Sequence, residues 1–377
     1  MLLTSTISSP LKIGLQILGV WPDMPYISFY RLIYMSCLLS VHYFQQLYLF
    51  ANCSIGELEN LVGPLATPLK LTTLWVNRRR IRELLDSMDT DWRECVNIDQ
   101  HLHLMRTKAS NSQFCVMAFL SFVLPSAVIY FGGDNAIAII HQVNGDNYTS
   151  RPFPMKVLFP FEAEQSPFYE LLVVLLFLHG VLTVYTVAII NGLIFSLVFH
   201  VSGQIDIIYQ ELKTISMKVS YDGSAEFTIG MLIEKHNKVI EFAENVDKLY
   251  SFITFLQIFP NTSLICILAV TTIASVNSDV SLAKSGLPYA GITAEIFIFC
   301  FIGEYLGIKS RSLADAGYNS LWYNMSPSYS KNVLFIIMRS QKQLTITAGG
   351  LMNLSLEVFT SMMKASVSFI SVLHAMY

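Results

Sequence analysis

The chain has 377 residues, of which 53% are hydrophobic and only 14% charged, and its formal net charge is −3. Soluble domains carry about 25% charged residues; with a mean hydropathy of +0.50, this chain lacks the polar surface a soluble protein of its length needs, and membrane is the better class. The slightly acidic balance leaves no basic excess for nucleic acid.

At the start, residues 1–27 lack the basic region of a secretory signal, and Trp21-Pro22 interrupts the apolar stretch. Insertion is therefore expected to begin at an internal span, from a cytoplasmic amino terminus. A span needs roughly 20 mostly apolar residues, and 28–50, 115–132, 168–199, 251–275 and 287–308 supply them. The run 56–76 is weaker, with Glu57, Glu59, Lys70, Pro64 and Pro68, and 349–375 carries Glu357 and Lys364. Counting both gives an all-α polytopic membrane protein of seven spans, with the carboxyl terminus outside.

Charge fixes the expected sides. Lys and Arg favour the cytoplasmic face, and this arrangement puts 18 of the 24 inside: Lys12, seven in 77–114, five in 200–250 and five in 309–348. Three, Arg151, Lys156 and Lys284, fall outside. Dropping the second span would place the Arg78–Arg82 cluster on the side of Asn52. Two glycosylation sequons, at Asn52 and Asn147, then lie in outer loops. The opposite orientation, that of G-protein-coupled receptors, would put the basic loops outside and is rejected.

Catalytic signals are sparse. His101 and His103 sit in a charged inner loop and read as a solvated face. His179 and His200 lack a carboxylate at helical spacing. The six cysteines show no metal-ligand spacing, and P-loop, nucleophile-elbow and zinc motifs are missing. Neither an enzyme nor a cofactor is expected. Gly303-x-x-x-Gly307 in the sixth span offers close helix approach. The stretch 309–348 is too apolar for a solvated linker, and Tyr318, Trp322 and Tyr323 are candidates for an assembly surface or for a privately packed loop.

The last helix has a polar stripe. On a wheel of about 100° per residue, Asn353, Glu357, Ser361, Lys364, Ser368, Ser371 and Ala375 fall near one line. Met352, Phe359, Met362, Ile370 and Leu373 gather opposite. Either this small-residue face packs against other helices, or it lines an aqueous conduit whose outer end closes by dewetting at Val372 and Met376.

From Ser312 to Tyr318 the chain reads Ser-Leu-Ala-Asp-Ala-Gly-Tyr, with Leu321-Trp-Tyr323 just beyond. Further on come Ile337-Met-Arg-Ser-Gln341, Thr347-Ala-Gly-Gly350, Ser355-Leu-Glu-Val-Phe359 and Lys364-Ala-Ser-Val-Ser368-Phe369. These runs resemble the insect odorant receptor family, as does Leu18-Gly-Val-Trp-Pro22 near the start. The resemblance implies a subunit of a tetrameric, odorant-gated, non-selective cation channel in the plasma membrane of sensory neurons. It implies an odorant-binding bundle over 1–308, an assembly region over 309–348 and a pore-lining helix over 349–377. It also turns the stripe toward the pore reading, with Ser361, Lys364 and Ser368 along the path and Val372, Ala375 and Met376 at the gate.

The stretch between spans four and five is short for the family's co-receptor, so the resemblance implies a tuning subunit that forms a heterotetramer with that co-receptor. Lys364 fits a cation path awkwardly, unless it pairs with Glu357 or the co-receptor's copies dominate. Gustatory receptors, the related alternative, typically carry a Thr-Tyr start and a Gln-Phe end in the last span, and both are missing here. A non-conducting membrane binding or scaffold protein is the alternative from another class.

By position in the family, the ligand site implied is the outer half of the bundle. Candidates are Phe122, Ser126, Tyr130 and Phe131 from span three, Tyr169, Leu172, Leu176 and His179 from span four, and Tyr289, Ile292, Thr293 and Ile296 from span six. Energetics bound the ligand. Burying about eight methylenes is worth ~6 kcal/mol and one hydrogen bond adds ~0.5–1.5 kcal/mol. Micromolar binding needs ~8 kcal/mol, which suits a small, mostly apolar volatile with one polar handle.

Overall fold

The structure, a computed structural model, describes residues 5–21, 27–51, 59–144, 152–163, 165–222, 225–274 and 279–376. The sequons at Asn52 and Asn147 lie outside the described residues. Seven helices correspond to the seven spans: α2 (Ile27–Ala51), α3 (Glu59–Val76), α5 (Asp99–Val143), α6 (Phe168–Asp222), α7 (Ala225–Ala274), α8 (Asp279–Tyr318) and α10 (Leu356–Met376). Among the described residues, four of them, α5 to α8, are long and apolar enough by composition alone to cross a membrane. Three shorter helices complete the set: α1 (Ser9–Ile17), α4 (Arg78–Val96) and α9 (Pro327–Gln341).

The long helices exceed what a bilayer requires. α6 has 55 residues and α7 has 50, whereas about 20 cross the hydrocarbon. The expected inner loops 77–114 and 200–250 are therefore mostly helix: α4, the first turns of α5, and the charged ends of α6 and α7. The reason is visible in α4, where Ile81, Leu84, Met88, Trp92 and Cys95 recur at helical spacing and are buried, while the arginines face out. The bundle thus has an apolar end, inside lipid, and a charged end beyond it.

At the charged end α1 tucks beneath the bundle. Ser8 caps it by accepting from Leu11 N–H at 3.4 Å, and Leu11 and Leu15 are buried. The Leu18-Gly19 step is read by two side chains. Trp75 Nε1 donates to the Leu18 carbonyl at 2.9 Å, and Arg31 donates to the Gly19 carbonyl at 2.6 and 3.0 Å.

Between α9 and α10 runs a small antiparallel hairpin, β1 (Thr347–Ala348) and β2 (Met352–Asn353). Its turn needs positive φ at two successive residues, and Gly349 and Gly350 supply 61° and 69°. Such values cost glycine little and other residues more. The Gly303/Gly307 pair serves this hairpin rather than a second helix. A Cβ at 303 would collide with the Leu354 carbonyl oxygen, and one at 307 would sit 3.4 Å from Gln343 Oε1.

Candidate functional site

The last helix, α10, has two unlike faces. Phe359, Met362 and Met363 pack against a buried cluster of Ile265 on α7 and Ile296 and Cys300 on α8. The Phe359 ring lies 5.4 Å from that of Phe297, and Ser366, also buried on this side, bonds back to the Met362 carbonyl. Glu357, Ser361, Lys364, Ser368 and Ser371 are exposed. The polar stripe therefore faces away from the chain's own bundle. Among the described residues no ion pair joins Glu357 to Lys364. The side chains of Val372, Ala375 and Met376 lie outside those described.

The hairpin ties α10 to the bundle. Asp247 on α7 accepts from both the N–H and the hydroxyl of Thr347, at 2.7 and 2.9 Å. Thr254 Oγ1 donates to the Thr347 carbonyl at 2.6 Å, and Gly349 N–H donates to the Ser251 carbonyl at 2.8 Å. From α8, Ser310 Oγ accepts from Leu344 N–H at 2.9 Å.

The twelve candidate ligand residues do not converge on one place. Tyr289, Ile292 and Ile296 join the cluster that supports α10. Thr293 keeps a buried hydroxyl with no partner, as does the carbonyl oxygen of the Gln257 side chain on α7. Phe122 is 45% exposed on the outer surface, and Ser126 bonds back to the Phe122 carbonyl at 2.8 Å. Tyr130 and Phe131 meet edge to face at 5.0 Å. Tyr169 donates to the Pro152 carbonyl at 3.0 Å and so pins the segment 152–163, while Leu172 is half-buried beside it in sequence order. Leu176 and His179 are buried.

His179 lies against His42 of α2, ring centroids 5.1 Å apart and nearly perpendicular. His42 Nδ1 is 2.9 Å from Gln45 Oε1, and Gln45 Nε2 donates to Met155 Sδ at 3.4 Å. Both imidazole Nε2 atoms are buried without a partner among the described residues. Span one was absent from the residues expected to form a ligand site, so His42 is an addition from the structure.

A second polar node lies deeper. Glu295 on α8 accepts from Asn191 on α6 at 2.6 Å and from Asn261 on α7 at 3.0 Å. Lys70 on α3 is also buried. Ionisable side chains within an apolar bundle are costly, and the two amide donors satisfy both Glu295 carboxyl oxygens. A glutamate inside the apolar run 287–308 was the available sequence signal.

At the charged end, expected solvation gives way to pairing. His101 is buried and bonds to Glu211 of α6 at 2.9 Å, while His103 is exposed. His200 bonds to Asp91 of α4 at 2.9 Å, a carboxylate brought from another helix. Asp206 bridges Lys108 and Lys309 at 2.9 and 2.7 Å. His236 on α7 sits among Glu234, Lys235, Lys238 and Glu241, outside the apolar run, and is 3.3 Å from Ser340. Burial, reinforced by the Arg339 charge, pulls its pKa down to about 4, so it is neutral.

A family model described as 7tm Odorant receptor matches residues 57–367. The chain belongs to that family. It is 25% identical to odorant receptor 22c of Drosophila melanogaster over 58% of this chain and 57% of that one. To odorant receptor 13a of the same fly it is 20% identical over 82% of this chain and 77% of that one. Its fold matches that of the olfactory receptor OR5 from Machilis hrabei, solved in complex with eugenol, with a TM-score of 0.83 at 16% identity. That match covers 98% of this chain and 97% of the other. The chain is thus a multi-pass membrane protein of the odorant receptors, not of an enzyme family.

Proposed function

We propose that this chain is the odorant-sensing subunit of a ligand-gated, non-selective cation channel, with its amino terminus in the cytoplasm and α10 lining the pore. The observation that carries the reading is the orientation of α10: apolar side chains against α7 and α8, polar ones turned away from the chain's own bundle. Inside a bilayer such a face requires water or protein, and an assembly of subunits around an aqueous axis supplies both. The gate is assigned to Val372, Ala375 and Met376 at the outer end.

The assembly region 309–348 supports oligomerisation. Tyr318, Tyr323 and Phe335 are exposed in the single chain, and the Trp322 ring rests 6.3 Å from that of Tyr323. Exposed aromatics clustered outside lipid mark contact surfaces. The partner assigned is the odorant receptor co-receptor, in a heterotetramer at the plasma membrane of sensory neurons, with a small volatile as ligand and cations as permeant species. The eugenol complex of OR5 supports a ligand of that size.

Recording from cells that express this chain, the co-receptor, or both tests the proposal. A cation current that a volatile evokes only from the pair, or that far exceeds the current of either alone, is expected. Surface-expressed pairs that bind volatiles yet never conduct would contradict it.

A further inference from the structure

The imidazoles of His42 and His179 are two buried polar side chains at the apolar end whose Nε2 atoms bond to nothing among the described residues. They come from α2 and α6 and are covered by the segment 152–163, which reaches over α2 where Leu158 N–H donates to the Phe44 carbonyl at 3.3 Å. Such atoms are rare in native interiors, and each calls for a reason.

The hydrogen-bond pattern fixes what His42 offers. A thioether sulfur accepts but cannot donate, so the Gln45 amide nitrogen, the donor end, is the one facing Met155. Gln45 Oε1 therefore faces His42 Nδ1, at 2.9 Å. An oxygen acceptor there requires the hydrogen on Nδ1, which leaves Nε2 a bare lone pair. The His179 ring beside it, with its Nε2 in the N–H form, would present a donor.

We propose that His42 and His179 form the polar end of an odorant site between α2, α6 and the segment 152–163, and that this site selects volatiles bearing a hydroxyl group. A hydroxyl donates to His42 Nε2 and accepts from His179, satisfying both atoms at once. Ethers, esters and ketones of equal size only accept, and leave the His42 lone pair unmatched. Entry requires displacing Met155, whose methyl group lies 2.6 Å from where a Cβ on Gly180 would stand, with Phe131 at 2.8 Å. An unbranched thioether on a non-helical segment is suited to that movement. The glycine leaves room for the methionine to lie against α6.

The inference rests on the odorant-gated channel reading, and one experiment separates the two. Currents from the co-expressed pair are recorded with n-alkanols and benzyl alcohol, each against the ether of equal heavy-atom count, such as n-heptanol against hexyl methyl ether. Alcohols are expected to act at about tenfold lower concentration than their ethers, the value of one additional satisfied hydrogen bond. His42→Phe should erase that ratio by weakening alcohols and sparing ethers. Gln45→Leu, which keeps the ring but frees its tautomer, should lower the ratio by sensitising the channel to ethers, an effect that a merely structural role would not produce. If ligands evoke current but the wild-type ratio is near one, or either surface-expressed variant keeps the wild-type ratio, the assignment of this pair is overturned. If no volatile evokes current from any pair at the cell surface, the channel reading fails instead.

Discussion

At the charged end, Asp206 is shared by Lys108 and Lys309, and His200 reaches Asp91 across helices. At the apolar end, His42, His179, Gln257 and Thr293 keep buried atoms that bond to nothing within the described residues. The first region ties several helices together through ion pairs, although His101 Nδ1 and Arg106 Nε there are also buried without a partner among the described residues. The second relies on apolar packing around a few polar groups, one node of which is satisfied and others of which are not. Paired networks resist rearrangement, whereas unsatisfied atoms and van der Waals contacts tolerate it. The charged end therefore reads as the frame, and under the proposed function the apolar end is the part that accepts a ligand and moves.

The sharpest way to break this comparison is the Glu295 node in the apolar end. Glu295→Leu leaves the buried Asn191 and Asn261 amides without their acceptor, and each stranded donor costs about 1–3 kcal/mol. Thermal unfolding of the detergent-solubilised protein should show a large drop. A shift no larger than that of a surface mutant would mean the node contributes nothing to holding α6, α7 and α8 together.

Next comes the seam between frame and moving part. Asp247→Ala leaves the Thr347 N–H and hydroxyl without their acceptor, at a cost of about 1–3 kcal/mol. The expected readout is a raised odorant concentration for half-maximal current with ion selectivity unchanged, measured by reversal potentials. Altered selectivity with unaltered sensitivity would separate the hairpin from gating.

The frame should also be acid-sensitive. His236 has its folded pKa, about 4, below the unfolded value of about 6.5, so the unfolded chain binds the extra proton between them. Its contribution is complete above about pH 6.5 and is lost as pH falls toward the folded pKa, reaching about 2 kcal/mol at pH 5. Between pH 7 and pH 5 the wild type should lose about 2 kcal/mol relative to His236→Gln in paired melting curves. Parallel curves would remove His236 from the account. The smallest effect is assigned to Arg79→Ala: its pair with Glu83 is exposed on both sides and is worth about 0.3–0.5 kcal/mol. A loss several times larger in the same melting assay would show that surface charge helps hold the frame.

Much of this architecture was legible in the chain because the bilayer imposes a simple rule. Seven apolar runs mark seven spans, and a helical wheel over 350–377 separates Ser361, Lys364 and Ser368 from Phe359 and Met362, although Met352 and Asn353 on that wheel stand in β2 and the helix starts at Leu356. Periodicity gives a face but not its neighbour. Ile292 and Ile296 are expected beside a ligand, and the structure adds that they pack beside α10, a neighbour that spacing alone does not name. Nor could spacing bring His42 to His179, or Asn191 and Asn261 to Glu295, since those contacts depend on how distant helices cross. The hairpin was signalled by Gly349-Gly350 and went unread among longer apolar runs. The expected loops proved helical because α4 and the ends of α6 and α7 bury one stripe against each other outside lipid.

Cysteine accessibility along α10 tests the central claim most directly. With the native channel opened by ligand, Ser361→Cys, Lys364→Cys and Ser368→Cys should each be modified by a membrane-impermeant thiosulfonate and change the current. Phe359→Cys and Met362→Cys, turned toward α7 and α8, should be inert. If modification followed the apolar face, or spared the polar face in conducting channels, α10 would not line the ion path.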